Sequence, residues 1–339
     1  MTPLKGGVLG FGNIGQNLTT YINQTRSDAA QIVAACDVAQ PQLNLAHEKY
    51  GLVVTPTAAE LIAMDLDFVL VVSSNHAHAD QVVMAAEAGK HIFCEKPISL
   101  SLTEADRMIT AVESAGVVNV VNYSMRYIDG YRKCKQIADE GRLGRILFVW
   151  HLMTRGFGLY ESGARHWAVT RPESSGGWTV HHACHSIDFL YWINGPITAA
   201  YGNTQTTLPD HSPNRGPAKG TEEVLLGNLT FANGAMGMVG DSTCIIREHH
   251  TGIIGSKGSL LMTGENEQTV MRLHLEGEKE EQRIPAIDAK RPGGGIDHFL
   301  ECVQQGQQSP NSLRQARHSL AVAMAIQESA ATGQVVTID

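Results

Sequence analysis

Gly10-Phe11-Gly12-Asn13-Ile14-Gly15 stands between the apolar run Gly7-Val8-Leu9 and a helical pattern over 13–25, and its reading decides the fold. A glycine-spaced hexapeptide alone is a weak motif. Between a buried strand and a helix it becomes informative. Gly10 permits the tight turn after the strand, Gly12 lets the main chain approach a pyrophosphate, and Gly15 lets the helix pack on the sheet. The helix N-terminus then offers N–H groups and partial positive charge to phosphates. A ligand-free glycine turn is the bland reading, and the context weighs against it. Working outward, Ile32 to Cys36 reads as a second strand ending at Asp37, the spacing of an acid that accepts from a ribose 2′-hydroxyl. A carboxylate there repels a 2′-phosphate, and Val38-Ala39-Gln40 supplies no arginine to reverse that choice. NAD is therefore expected over NADP. The alternative is an exposed acid that merely ends a strand.

The alternation continues. A helix over 43–50 stops at Gly51, and a strand over 68–72 precedes a helix over 78–88 closed by Gly89. His91 to Cys94 is a strand, 103–115 a helix closed by Gly116, and 117–121 another strand. Continuous apolar strands separated by helices mean a parallel sheet covered on both faces. After Asn122 the pattern changes. A helix over 127–140 ends at Gly141, and half-exposed strands are expected over 146–153, 223–231, 235–240 and 260–263. Asn233-Gly234 between two of them signals a hairpin. Residues 178–193 read as a helix, 203–221 as a long loop, and 315–332 as a terminal helix. The expected fold class is α/β, with a Rossmann dinucleotide-binding domain over 1–122. An α+β domain with a large open, mostly antiparallel sheet follows over 123–339, its terminal helix packing back towards the first domain.

At 339 residues the chain is long for one core, which also favours two domains. Hydrophobic content of 43% with 18% charged residues suits a soluble globular enzyme. The net charge of −8 and the lack of a basic block exclude a nucleic-acid partner from the expectation. Six widely spaced cysteines without a Cys-x-x-Cys pair read as reduced thiols of a cytoplasmic protein. The first ten residues run straight into a strand, unlike a signal peptide, and no apolar run is long enough for a membrane span.

Two stretches carry chemistry. Glu95-Lys96-Pro97 places a lysine just after a later strand of the parallel unit, the end where a nicotinamide would lie. An ammonium there stabilises developing alkoxide and relays its proton. Pro97 fixes the local backbone, in a cis or a trans bond. A surface lysine is the bland alternative. His181-His182-Ala183-Cys184-His185 brings three imidazoles together, groups whose ordinary pKa of ~6.5 suits proton transfer. On a helix His181, His185 and Asp188 share a face. Asp188 either orients His185 or pairs with a basic residue. The i, i+4 histidines also admit a metal reading, with His249 or His250 as a third ligand. No glutamate accompanies them, so no metal is expected.

These stretches, with Ser73-Ser74-Asn75-His76-Ala77-His78, Asn122 to Tyr127, Gly176-Gly177 through Asp188, and Gly255-Ser256-Lys257-Gly258, resemble the Gfo/Idh/MocA family of nicotinamide-dependent oxidoreductases over nearly the whole chain. The resemblance implies carbohydrate or cyclitol substrates and a homo-dimer or homo-tetramer through the open sheet. It implies cofactor contacts at Gly10 to Gly15, Asp37, Ser73, Asn75, His78, Glu95, Lys96 and Arg126. It makes Lys96 and His185 catalytic, with His181 beside them. Tyr123, Arg155, Arg165, Trp167 and His182 fall at substrate positions, and His166 and Arg171 also border the cleft. An arginine set holds an anionic substrate group, or else forms ordinary salt bridges. The chain departs from the family in Ser73-Ser74 for Thr-Pro and in His181 for a common aspartate. Three functions are weighed. The first is an NAD-dependent dehydrogenase acting on a secondary hydroxyl of a sugar or cyclitol. The second is a redox-neutral NAD-dependent glycosidase. The third is a silent sensor, against which Lys96 and His185 both argue. No nucleic acid or membrane partner is expected.

Overall fold

The computed structural model describes residues 2–155, 175–205, 222–243, 247–265, 268–286 and 293–339. The chain forms two compact units, Met1–Tyr123 with Pro292–Arg317, and Ser124–Arg291 with His318–Asp339. Among the described residues no helix is long and apolar enough to cross a membrane.

The first unit is a six-stranded parallel sheet. Its strands are β1 (Leu4–Leu9), β2 (Ala30–Cys36), β3 (Val53–Thr55), β4 (Phe68–Val71), β5 (His91–Cys94) and β6 (Asn119–Val121), in the order β3-β2-β1-β4-β5-β6. Helices α1 (Asn13–Thr25), α2 (Gln40–Tyr50), α3 (Ala58–Ile62), α4 (His78–Glu87) and α5 (Leu102–Ala115) connect them. Phe68 to Val71 is buried at every position, the mark of a strand covered on both sides. Start and stop signals act as expected from their chemistry: the Ser101 hydroxyl accepts from the Glu104 N–H at the start of α5, and Gly51 and Gly116 close α2 and α5 with positive φ. The order reverses between β1 and β4, so the crevice beyond their C-terminal ends is where an open parallel sheet binds ligands.

A returning segment completes this unit. Helix α8 (Gly295–Gln305) sets Phe299 edge-on against Phe68 and Phe93. Its Asp297 accepts from the Tyr21 hydroxyl of α1 at 2.9 Å and pairs with Arg26, the residue that follows α1. Asn311 binds the edge strand β6: its main-chain carbonyl accepts from Val121 N–H and its side-chain Nδ2 donates to Val121 O, both at 2.8 Å. In this unit sequence periodicity identified the longer strands and helices within a few residues, but passed over β3, α3 and α8; in the second unit it named no strand over Ile197–Gln205, Arg247–Gly255, Gln268–Leu275 or Gln282–Ala286.

The second unit is built on a nine-stranded sheet. In chain order it contains α6 (Asp129–Asp139), β7 (Ile146–Arg155), α7 (Cys184–Asn194), β8 (Ile197–Gln205), β9 (Val224–Phe231), β10 (Met236–Ser242), β11 (Arg247–Gly255), β12 (Gly258–Glu265), β13 (Gln268–Leu275), β14 (Gln282–Ala286), the part of α9 (Leu313–Thr332) from His318 on, and β15 (Val336–Thr337). The order is β14-β13-β12-β11-β7-β10-β9-β8-β15, and only β7 and β10 run parallel. Gly234, with φ of 82°, makes the hairpin between β9 and β10. Strands alternate between faces: Leu225, Leu229 and Phe231 are buried, whereas Leu226 is 45% exposed. The buried face meets α7 and Ile326 of α9, which lies where a Cβ on Gly202 or Gly227 would stand. The opposite face presents Met236 in register with Phe148, whose ring stacks on Trp150 at 5.3 Å, and Tyr201 three strands along on β8. The expected long loop over 203–221 is shorter at its start, because β8 continues to Gln205; 206–221 lies outside the described residues.

Gly15 tests the close packing of α1 on β1. A Cβ there would stand 2.3 Å from the Gly10 carbonyl oxygen, a main-chain atom that cannot swing away. Gly15→Ala is expected to destabilise the protein by roughly 1–3 kcal/mol, measured by denaturant unfolding. An unchanged midpoint would contradict this packing.

Candidate active site

The residues at the C-terminal ends of the parallel strands form the candidate dinucleotide site of the first unit. After β1 the chain turns at Gly10, φ 98°, whose Cβ would meet Ser73 Cα at 2.6 Å. The loop after β1 therefore packs main chain to main chain on the loop after β4. Helix α1 begins at Gly12 with no side-chain cap and no acid in its first turn. Gly12, Asn13 and Ile14 are exposed, so N–H groups at this helix end face solvent. Phe11 points the other way, fully buried with its ring edge-on to Tyr50 at 5.1 Å; it contributes its amide. That amide donates to Asp37 Oδ2 at 2.7 Å, and Ala39 N–H donates to Asp37 Oδ1 at 2.9 Å. Each carboxylate oxygen keeps a second lone pair for a ribose hydroxyl. Gly12 carries the fit to a dinucleotide. Its φ of −71° is open to any residue, and a Cβ there would meet nothing within 4 Å. Neither the backbone nor the packing of the fold requires a glycine, whereas a phosphate laid over the helix end does.

At the end of β5, Glu95 is buried. Its Oε1 accepts from Asn122 Nδ2 at 2.6 Å and its Oε2 from the Lys96 amide at 3.2 Å. The Lys96–Pro97 bond is cis. Lys96 itself is half-buried. Burial pushes the neighbouring Cys94 thiol up, which removes it as a nucleophile at neutral pH. Ser73 Oγ donates to Gln81 at 2.7 Å, and Asn75 is buried at the turn before α4. His78 departs from the expectation of a cofactor contact. It is fully buried, with Nδ1 2.9 Å from Pro97 O and Nε2 3.1 Å from Ser73 O. Tyr123, expected at the substrate, is 1% exposed.

The histidine segment belongs to the second unit and is described within it. Sequence reads 178–193 as one α-helix; the structure opens it with a π-turn over Thr179–Ala183 before α7. The wider turn alters the i, i+4 face expected for His181 and His185. Two buried carboxylates hold it, Asp241 of β10 and Glu222 just before β9. Asp241 accepts from Trp178 Nε1 at 3.0 Å and from Ser186 Oγ at 3.2 Å, so it grips both ends of the π-turn. Glu222 accepts from Thr179 N–H and from Gln327 Nε2, both at 2.9 Å. A Cβ on Gly177 would lie 2.8 Å from the Glu222 oxygens, and Gly177 has φ of 84°. Trp178 lies over His182 with centroids 4.0 Å apart, and His181 meets His182 edge-on at 4.8 Å. His181, His182 and His185 are each 7–9% exposed.

Asp188 does not orient His185. It is completely buried in a bidentate pair with Arg126, Nε to Oδ2 at 2.8 Å and Nη2 to Oδ1 at 2.7 Å, with Ser319 Oγ at 3.4 Å. Burial pushes its carboxyl up, and the guanidinium opposes that shift. The same pair corrects Arg126, expected at the cofactor: its guanidinium is buried against Asp188 and over the Trp192 ring. Arg155 ends β7, and Arg165, His166, Trp167 and Arg171 lie outside the described residues. Among the described residues no group of three or more His, Cys, Asp or Glu side chains is placed to hold a metal ion. His249 instead meets Thr269 Oγ1 at 3.3 Å, and His250 faces Glu248.

Sequence reasoning missed Trp178, Glu222, Asp241 and Gln327. Asp241 left a signal: in β10 it continues the inward series Gly237, Val239, where a carboxylate needs a buried partner.

Comparison with known proteins adds the following. A family model described as "Oxidoreductase family, NAD-binding Rossmann fold" matches residues 4–123, and one described as "Oxidoreductase family, C-terminal alpha/beta domain" matches 135–338. A 1,5-anhydro-D-fructose reductase of Ensifer adhaerens is 28% identical over 282 residues, 81% of this chain and 80% of its own length. A 2,7-anhydro-N-acetylneuraminate hydratase of Escherichia coli strain K12 is 30% identical over 256 residues, 75% of this chain and 66% of its own. The solved structure of levoglucosan dehydrogenase with NADH and L-sorbose matches the fold at 22% identity and a TM-score of 0.88, covering 100% of both chains.

Gly12→Ala separates ligand from fold. It is expected to leave thermal stability unchanged while weakening NADH binding by at least about tenfold, ~1.4 kcal/mol, in a fluorescence titration. Unweakened binding would show that no phosphate passes over Gly12.

Proposed function

From the premise that the chain belongs to the Gfo/Idh/MocA oxidoreductase family and is an NAD-dependent oxidoreductase, we propose that it oxidises a secondary hydroxyl of a sugar, cyclitol or sugar derivative. The observation that carries this reading is Lys96, set at the C-terminal end of β5 beside the crevice at which the sheet order reverses. Glu95 and Asn122 fix the backbone there.

In this reading the Gly10–Gly15 loop, Asp37, Ser73 and Asn75 hold the dinucleotide. NAD, when bound, supplies a hydride acceptor at nicotinamide C4. Lys96 Nζ stabilises charge developing on the substrate oxygen and shares its proton with a cleft imidazole, His185 or His181. Tyr123, His182, Arg155, Arg165 and Trp167 remain proposed substrate contacts. Asp37 selects NAD by accepting from the 2′-hydroxyl. The half-exposed apolar face around Phe148, Trp150, Leu226 and Met236 joins copies of the chain into a homo-dimer or homo-tetramer. Among the described residues Cys36, Cys94, Cys134 and Cys302 are buried thiols, in keeping with a cytoplasmic setting.

A second reading has its own observation. His181 puts an imidazole where relatives commonly have an aspartate, and one relative is named a hydratase. Extra imidazoles suit proton abstraction next to a transient ketone and protonation of a leaving group, the demands of a redox-neutral NAD-dependent glycosidase.

One assay separates the readings. The protein is mixed with NAD and a panel of free sugars, cyclitols, anhydrosugars and glycosides, and absorbance at the nicotinamide band is followed with product analysis. Net NADH with a ketone product is expected, falling by about 10²–10⁴-fold in Lys96→Met, the scale of general acid–base catalysis. Cleaved glycoside without net NADH would replace the dehydrogenase by the glycosidase. Full turnover in Lys96→Met would overturn the role of the lysine in both.

A further inference from the structure

His78 opens α4 with no exposed surface, and its two ring nitrogens face two carbonyl oxygens, Pro97 O at 2.9 Å and Ser73 O at 3.1 Å. Carbonyl oxygens only accept. A neutral imidazole has one N–H, so it can serve one of them, while an imidazolium serves both. Burial favours the neutral ring and pushes His78 down to about 4. The two carbonyls pull the other way, and Lys96 and His76, the ionisable groups that act on it, both oppose protonation. The ring is thus neutral at physiological pH and must place its single proton towards one loop or the other.

The two loops differ in what else ties them down. The loop after β4 is anchored by Ser73 Oγ on Gln81, by Ala77 N–H on Ser74 O, and by its packing against Gly10. Pro97 has no N–H to offer, and its carbonyl is the closer of the two acceptors. It directly follows Lys96.

We propose that His78 is a positioning residue for Lys96: its Nδ1–H donates to the Pro97 carbonyl and fixes where the lysine leaves the end of β5, while Nε2 stays unprotonated towards Ser73. His78 then acts through the loop and touches neither cofactor nor substrate. This rests on the reading of Lys96 as the residue that handles the substrate proton.

The test needs no substrate. In full-length protein with ¹⁵N-labelled histidine, the His78 signals are those lost in His78→Asn. They are expected to show a neutral ring protonated on Nδ1 from about pH 5.5 to 8.5, whereas an ordinary imidazole titrates near ~6.5. A proton on Nε2, or a midpoint near 6.5, overturns the proposal. The second measurement compares His78→Asn, whose amide nitrogen replaces Nδ1, with His78→Gln, whose amide nitrogen replaces Nε2. The rate of Lys96 reductive methylation, read by peptide mass spectrometry, is expected to stay within about twofold of wild type in His78→Asn and to change at least about fivefold in His78→Gln, because only the first keeps the donor to Pro97. NADH binding is expected to stay within about threefold in both. Equal methylation rates in the two variants overturn the proposal, as does NADH binding weakened about tenfold or more in both with Lys96 reactivity unchanged. Full turnover in Lys96→Met would instead remove the catalytic lysine and leave the tautomer result standing, so the two failures are distinct.

Discussion

The contact on which the first unit depends is the approach of Gly10 to Ser73, so close that a Cβ would stand 2.6 Å from the Ser73 Cα. It joins the loops after β1 and β4, the two strands between which the sheet order reverses. From that junction two chains of contacts run outward. One passes through the Phe11 amide to Asp37 and fixes an acid at the end of β2. The other passes through His78 to Pro97 and so to Lys96 and Glu95 at the end of β5. Main-chain groups carry most of these links, which suits a site that must hold its geometry while side chains meet a ligand.

The histidine segment is held by a different device. Here two buried carboxylates, Asp241 in β10 and Glu222 just before β9, reach the π-turn. A π-turn gives up ordinary helical hydrogen bonds, and π-bulges recur at functional sites. Asp241 compensates by binding residues before and after the turn, and the Trp178 ring that it anchors lies on His182. The imidazoles therefore sit on a braced helix rather than on a loop. Arg126 and Asp188 brace the next turn as a buried pair, where removal of either partner would strand a charge.

Much of this was legible in the sequence. The glycine spacing, the fully apolar strand Phe68–Val71 and the Asn233-Gly234 hairpin each have a local physical cause, so they were read within a few residues. What escaped was set by tertiary contact. β3 is three residues long and has no periodicity to detect. Helix α8 is amphipathic, yet its membership of the first unit depends on Phe299 reaching Phe68 and Phe93. Periodicity cannot distinguish an α-turn from a π-turn, because the difference comes from groups that bind the freed backbone, such as Glu222 on Thr179 N–H. Asp188 and His78 show the same limit at single residues: sequence left Asp188 between His185 and a basic partner and read His78 as a cofactor contact, while burial and partners give Asp188 to Arg126 and set His78 between two carbonyls.

At the dinucleotide end of the parallel sheet Asp37, held by the Phe11 and Ala39 amides, is the proposed selecting group. The most direct measurement is a pair of fluorescence titrations, NADH and NADPH, on wild type and Asp37→Ser. A carboxylate fixed beside the ribose predicts NADH tighter than NADPH by at least about tenfold, ~1.4 kcal/mol, with most of that preference lost in the variant. NADPH binding as tightly as NADH to the wild type would contradict it.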